Sequence, residues 1–243
     1  MQTRLPTVLI IMPARNEADT IADVITAIRQ RYGYDVLVIN DGSIDATEAL
    51  AQKAGARVVN LMFSLGAWGA MQTGLRYALR HHYDIAITMD ADGQHGAESI
   101  ERLLEALNSE NADVVIGAWP QRGSPARKLA WHIFRLLSGT HLRDLTSGLR
   151  AYNRQAIRLL AGPTASLLDY QDMGVLLLLN EAGLHVVETP TPMQDRQRGH
   201  SRIFSSWWAV TQYMLATMTL CLARSRFFST KPTIRYDDRL DMP

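Results

Sequence analysis

Asp84-Ile85-Ala86-Ile87-Thr88-Met89-Asp90-Ala91-Asp92-Gly93-Gln94-His95 decides how the chain is read. An apolar run ends abruptly in two aspartates one residue apart. In a strand, residues i and i+2 point to the same face. If the strand stops here and the chain turns, both carboxylates converge on one point outside the sheet. Two adjacent carboxylates repel unless something positive lies between them. A divalent cation with oxygen ligands fills that role and can also hold a diphosphate. The plain alternative is a polar strand end followed by a turn, since Asp and Gly are common turn residues.

The flanking segments repeat one pattern. Thr7-Val8-Leu9-Ile10-Ile11-Met12-Pro13 is a continuous apolar run, as expected for a strand buried on both faces. Ala14-Arg15-Asn16-Glu17 follows, then a helix over about 18–31 with Ile21, Val24, Ile25 and Ile28 on one side. Val36-Leu37-Val38-Ile39 is a second buried strand, ending in Asn40-Asp41-Gly42-Ser43, and Asp45 is placed to cap the next helix. Arg57 to Leu61 reads as a third strand. Gly66, Gly69 and Gly74 space the start of the helix after it. Alternating strands and helices predict an α/β fold with a mostly parallel sheet flanked by helices. Ligands of such sheets bind outside the carboxyl ends of the strands. Three polar clusters fall there: Arg15/Glu17, Asp41/Ser43 and Asp90/Asp92.

The chain has 243 residues, 47% hydrophobic and 20% charged, with a formal net charge of +1. That supports a buried core and gives no global field for nucleic acid. The single cysteine, Cys221, excludes an internal disulfide and a cysteine metal cluster. No apolar signal-peptide core precedes the first strand. Further along, 112–117 reads as a strand and 126–137 as a basic, aromatic amphipathic helix with Arg127, Lys128, Trp131, Phe134 and Arg135. Such a helix suits an anionic membrane surface or packs as an ordinary surface helix. Residues 144–154 read as a polar turn entering a short strand or helix. Residues 175–180 form a very apolar helix ended by Gly183, and 185–190 the last strand. The expected organisation is a catalytic domain over 1–203, an interfacial amphipathic helix over 204–224 carrying Trp207, Trp208 and Tyr213, and a polar tail over 225–243.

Six motifs occur in order over about residues 7–205: Pro13-Ala14-Arg15-Asn16-Glu17; Asn40-Asp41-Gly42-Ser43-Ile44-Asp45-Ala46-Thr47; Gly66-x-x-Gly69 with Gly74; Asp90-Ala91-Asp92-Gly93-Gln94-His95; Thr146-Ser147-Gly148-Leu149-Arg150; and Arg196-x-x-Gly199-His200-Ser201-Arg202. Each is weak alone, and the ordered set is specific. The chain resembles the family-2 inverting glycosyltransferases of the GT-A fold. It is most similar to the branch of dolichyl-phosphate mannose synthases and bacterial undecaprenyl-phosphate glycosyltransferases.

The resemblance implies that Pro13, Arg15, Glu17, Asp41 and Ser43 line the nucleotide pocket. It implies that Asp90, Ala91 and Asp92 meet the donor, with Mg2+ or Mn2+ on Asp90 and Asp92 supported by Gln94. Arg202 and Arg196 would close over the phosphates. Arg127, Arg143, Arg150, Arg196 and Ser201 would bind acceptor phosphate. The acidic residue before the late helix is Asp172 or Asp169. Two acceptors remain open: a polyprenyl phosphate, ionised and able to attack directly, or a saccharide hydroxyl that needs Asp172 as base. The chain departs from the family pattern at Asn40, at Gly96-Ala97, at Gly117-Ala118-Trp119 and at Arg202, which replaces a lysine. Peripheral attachment to the cytoplasmic face of the membrane is expected, with an oligomer contact through the C-terminal helix as the other use of that segment.

Overall fold

The computed structural model describes residues 5–122, 131–132, 134–135, 141–168 and 173–194. Arg127, Asp169, Asp172, Arg196, Ser201 and Arg202 lie outside the described residues, as do the expected helix at 204–224 and the tail. In chain order the described elements are β1 (Val8–Ala14), α1 (Ile21–Tyr32), β2 (Asp35–Asn40), α2 (Thr47–Lys53), β3 (Arg57–Asn60), α3 (Gly66–Arg80), β4 (Ile85–Thr88), α4 (Glu98–Ser109) and β5 (Val114–Ala118). Then come β6 (Arg150–Asn153), α5 (Arg154–Ala161), α6 (Met173–Glu181) and β7 (Val186–Pro190).

The strands form one seven-stranded sheet in the order β3-β2-β1-β4-β6-β5-β7. All pairings are parallel except those of β6, which runs antiparallel to both β4 and β5. The expected mostly parallel sheet is present, and the insertion of β6 is the feature the sequence did not announce. It places Arg150 opposite Thr88 on one side and opposite Ile116 on the other.

The apolar runs alternate between two cores, as the pleat requires. Leu9, Ile11, Leu37 and Ile39 pack against α3, α5 and α6. Val8, Ile10, Met12, Val36 and Val38 pack against α1 and α4 on the opposite face. Removing one such side chain costs about 2–5 kcal/mol. Gly74 explains how α3 comes so close to β1: a Cβ there would run into the Ile11 side chain. Helix α6 is buried over Met173 to Leu179, so it carries no polar face along that stretch. Trp131 and Phe134 belong to the first core. Of the two readings of that segment this favours the packed one: the two aromatic rings are already covered by protein.

Candidate active site

The carboxyl ends of β1, β2 and β4 lie side by side, because these strands are neighbours in the sheet. The polar loops that follow them are stitched together by side-chain-to-backbone bonds. Asn16 adopts a left-handed φ of 53°, a conformation Asn tolerates better than most residues. Its Oδ1 accepts from Ile44 N at 2.8 Å, while its own N–H donates to Ser43 Oγ at 2.9 Å. Glu17 N donates to Thr47 Oγ1 at 2.8 Å. Ser43 and Thr47 thus tie the β1 loop to the β2 loop.

Asp45 acts one position earlier than a cap. Ala46 occupies the N-cap position of α2. The Asp45 carboxylate accepts from Thr47 N at 3.0 Å and from Ala18 N at 3.3 Å. Burial works to raise its pKa, but the bonds from Thr47 and Ala18 outweigh it and hold the carboxyl below its usual range. Asn40, where the resemblance led one to look for an acid, uses both ends of its amide. It donates to Asn60 Oδ1 at 2.8 Å and accepts from Ser43 N at 3.1 Å. An aspartate cannot donate the first of these bonds.

Asp41 is 5% exposed. Its carboxylate accepts from Leu65 N at 2.6 Å, Ser64 Oγ at 2.7 Å and Gly66 N at 3.1 Å. It therefore satisfies backbone donors at the start of α3, where negative charge is favoured by the helix dipole. A carboxylate has about four acceptor positions, so roughly one remains for a nucleoside. Arg15 is exposed and reaches the same loop, donating from Nη1 to Ser64 Oγ at 3.1 Å. Ser64 is a residue that sequence reasoning missed; its only signal was its place just before the glycine-spaced helix start. Pro13 is half-buried within β1.

At the end of β4, Ala91 is buried and its carbonyl accepts from Thr20 Oγ1 at 2.8 Å. Asp92 is 6% exposed, and its Oδ1 accepts from Gln94 N at 3.0 Å. Asp90 is half-buried and lies against Gly148. Gln94 exchanges main-chain contact with Gln194, whose N–H donates to the Gln94 carbonyl at 2.9 Å, and its side-chain amide donates to Gln194 O at 3.4 Å. The contacts of Gln94 tether the segment after β7 to the Asp-x-Asp loop; they do not place its side chain as a metal ligand.

Among the described residues, no three His, Cys, Asp or Glu side chains gather into a metal nest. The donor set at this strand end is two carboxylates. Mg2+ is commonly held by one or two carboxylates together with substrate phosphates, so Asp90 and Asp92 fit an ion that arrives with a diphosphate. They do not fit a structural metal with four protein ligands.

Residues 9–166 match the family described as "Glycosyl transferase family 2". The chain belongs to that family. As a glycosyltransferase it is 30% identical over 218 residues to the polyprenol monophosphomannose synthase of Mycolicibacterium smegmatis, covering 82% of this chain and 81% of that one. It is 29% identical over 216 residues to the undecaprenyl-phosphate mannosyltransferase of Micrococcus luteus, covering 81% and 87%. Among solved structures, glucosyl-3-phosphoglycerate synthase from Mycobacterium tuberculosis, in complex with Mn2+, uridine-diphosphate and phosphoglyceric acid, superposes with a TM-score of 0.69 at 21% identity, covering 89% of this chain and 78% of that one. The likeness to that structure is one of fold, and the fold is of the GT-A kind.

Two of the arginines expected to bind acceptor phosphate are described, and they differ. Arg143 is exposed, and its backbone N–H donates to Glu188 Oε1 at 2.7 Å. Arg150 is 0% exposed. Its Nε donates to Ser147 O at 2.9 Å and its Nη2 to Leu145 O at 3.1 Å. This corrects the expectation that Arg150 binds acceptor phosphate: the planar guanidinium is closed off from solvent and braces the 145–147 turn from within. The expectation came from the family resemblance, and the antiparallel insertion of β6 that buries this side chain was not legible in the sequence.

Proposed function

We propose that this glycosyltransferase moves one sugar, with inversion, from a nucleotide-diphospho-sugar to a polyprenyl phosphate, using Mg2+ or Mn2+ held at Asp90 and Asp92. The observation that carries the reading is the placement of the Asp90/Asp92 pair beside the stitched loops of β1 and β2 on one end of the sheet. A nucleoside on the β1/β2 loops leaves its diphosphate within reach of the β4 end, since neighbouring strands are about 4.8 Å apart.

When bound, the divalent ion supplies Lewis-acid stabilisation of the leaving diphosphate. The protein's own part is to hold and orient. Arg15 and the remaining acceptor position of Asp41 address the nucleoside, and the carboxylates of Asp90 and Asp92 would hold the ion. Arg143, which is exposed, orients an anionic acceptor together with Arg127, Arg196 and Ser201, while Arg202 and Arg196 close over the donor phosphates. A phosphate acceptor is already ionised near neutral pH, so it needs positioning by cations more than a general base. The names of the two mannosyltransferase relatives support a polyprenyl acceptor.

A lipid acceptor requires approach to a bilayer. No helix among the described residues is long and apolar enough to cross a membrane. The loops after β2 and β3 touch, with Ser64 on Asp41. They carry Ile44, Met62, Phe63 and Leu65, all large, apolar and exposed, with Met62 at 100% and Phe63 at 71%. These four side chains, on the same end of the sheet as the site, support peripheral attachment there.

The experiment offers labelled nucleotide sugars and Mn2+ or Mg2+ to the protein with either undecaprenyl phosphate in detergent or a panel of free saccharides. Label partitioning into the organic phase is the expected result. Label appearing only on saccharides contradicts the lipid-phosphate acceptor and favours a hydroxyl acceptor with Asp172 as base.

A further inference from the structure

The antiparallel pairing of β4 with β6 matches Thr88 with Arg150 and Ile87 with Ala151. Continued two residues past the end of β4, that register sets Asp90 across from residue 148. Directly opposed residues of an antiparallel pair send their side chains to the same face, with Cβ atoms about 4.5–5.5 Å apart. Any side chain at 148 would therefore enter the volume used by Asp90. Residue 148 is Gly, and a Cβ built on it would lie 2.9 Å from Asp90 Oδ2 and 3.1 Å from Oδ1. Its φ is not in the left-handed region, so backbone freedom is not what requires glycine here. The requirement is space.

The turn that carries Gly148 is held rigidly from several directions. Thr88 Oγ1 donates to Gly148 O at 2.8 Å, fixing the turn to the last residue of β4. Ser147 Oγ donates to Gly117 O at 2.6 Å, and Gly117 N donates to Leu149 O at 2.9 Å, fixing it to β5. Arg150 fills the interior of the turn through Ser147 O and Leu145 O. Asp144, 0% exposed, accepts from Trp119 N at 3.1 Å, and its own N–H donates to Glu188 Oε1 at 2.7 Å. A turn anchored in this way cannot retreat cheaply from an added methyl group. Asp90 is the member of the contact that would move.

We propose that Gly148 is a positioning residue for the Asp90 carboxylate: the missing side chain reserves the space in which that carboxylate stands, and the Arg150-braced turn holds that space at fixed depth beside Asp92. The inference rests on the proposed role of Asp90 in holding a divalent ion and its diphosphate. It names which part of the β6 turn makes that role possible.

The test is a double-mutant cycle on the full chain with Gly148→Ala, Asp90→Ala and the pair. Free Mn2+ is followed by electron paramagnetic resonance during titration with UDP and, separately, GDP. Thermal midpoints are recorded for all four proteins. Gly148→Ala is expected to weaken Mn2+-dependent nucleotide binding by about tenfold or more and to lower the thermal midpoint. Nucleotide binding measured in EDTA should be unchanged. Once Asp90→Ala has emptied the space, adding Gly148→Ala should weaken Mn2+ binding no further and should no longer lower the midpoint. A merely structural role for Gly148 would not be relieved by removing Asp90. If Gly148→Ala does not fold, folding of the double variant supports the proposal, and its failure to fold overturns it. Wild-type Mn2+ affinity in Gly148→Ala also overturns it while leaving the donor reading intact. Absence of Mn2+-dependent binding of either nucleotide in the wild type overturns the donor reading itself, and this inference with it.

Discussion

Two strand ends of the same sheet each present a buried aspartate, and they treat it in opposite ways. At the end of β2, three donors from residues 64–66 converge on Asp41. The protein supplies its own compensation for that charge, and the carboxylate holds two loops together. At the end of β4, Asp90 stands where its cross-strand partner has no side chain, and Asp92 is oriented by the main chain of Gln94. There the fold leaves room for a carboxylate opposite a residue with no side chain. The contrast separates an aspartate that holds two loops together from the pair proposed to meet a ligand-borne cation.

The comparison is broken most severely by Asp92→Asn. With the shape kept and the charge removed, turnover should fall about 10²- to 10³-fold while the thermal midpoint stays near that of the wild type. A variant that loses its fold before its activity would place Asp92 with Asp41. Asp41→Asn should do the reverse. It sets an amide N–H₂ against donors that need an acceptor, so stability should drop by about 1–3 kcal/mol, read as a lower urea midpoint at unchanged slope. Activity per folded molecule should fall less than in Asp92→Asn.

The loops that Asp41 organises are also the ones with exposed apolar side chains. Replacing Met62 and Phe63 together by Asp should weaken partitioning onto phospholipid vesicles, read by co-sedimentation, by about a hundredfold or more, given roughly 1.5–3 kcal/mol per large apolar side chain inserted. Turnover on a detergent-solubilised acceptor should be unaffected. Equal sedimentation would remove these loops from the membrane contact.

The smallest effect concerns Asp45. Its pKa is held low in the folded protein, so the carboxylate stabilises the fold above the unfolded pKa. That contribution is lost as pH falls through the folded value. Asp45→Asn should therefore show a shallower loss of urea midpoint on acidification below about pH 4. Parallel curves for wild type and variant would show that Thr47 and Ala18 do not act through this charge.

Two strand ends were legible because they are punctuated: Asp41-Gly42 follows β2 and Asp90-Ala91-Asp92-Gly93 follows β4, whereas Pro13 lies inside β1, which runs on to Ala14. Continuous apolar runs gave the buried parallel strands, and the three clusters fell where such sheets bind ligands. The uses of the side chains were less legible. Asp41 meets residues 64–66, more than twenty positions away, and no local pattern records that contact. Arg150 was expected to bind phosphate because the family resemblance put it in an acceptor-binding segment; its antiparallel place between β4 and β5 was not visible in the sequence. The helical wheel grouped Trp131 and Phe134 correctly but could not say that the neighbour was the core. Gly148 sat within a recognised motif with no role, because a role defined by missing atoms appears only once Asp90 stands opposite.

The central claim is that the β4 end acts through a divalent ion carried on the donor. Calorimetric titration of the wild-type protein with UDP and with GDP, each in EDTA and in Mn2+, tests it directly. At least one nucleotide should bind tenfold or more tightly in Mn2+. Binding of equal strength in EDTA and in Mn2+ would contradict the account.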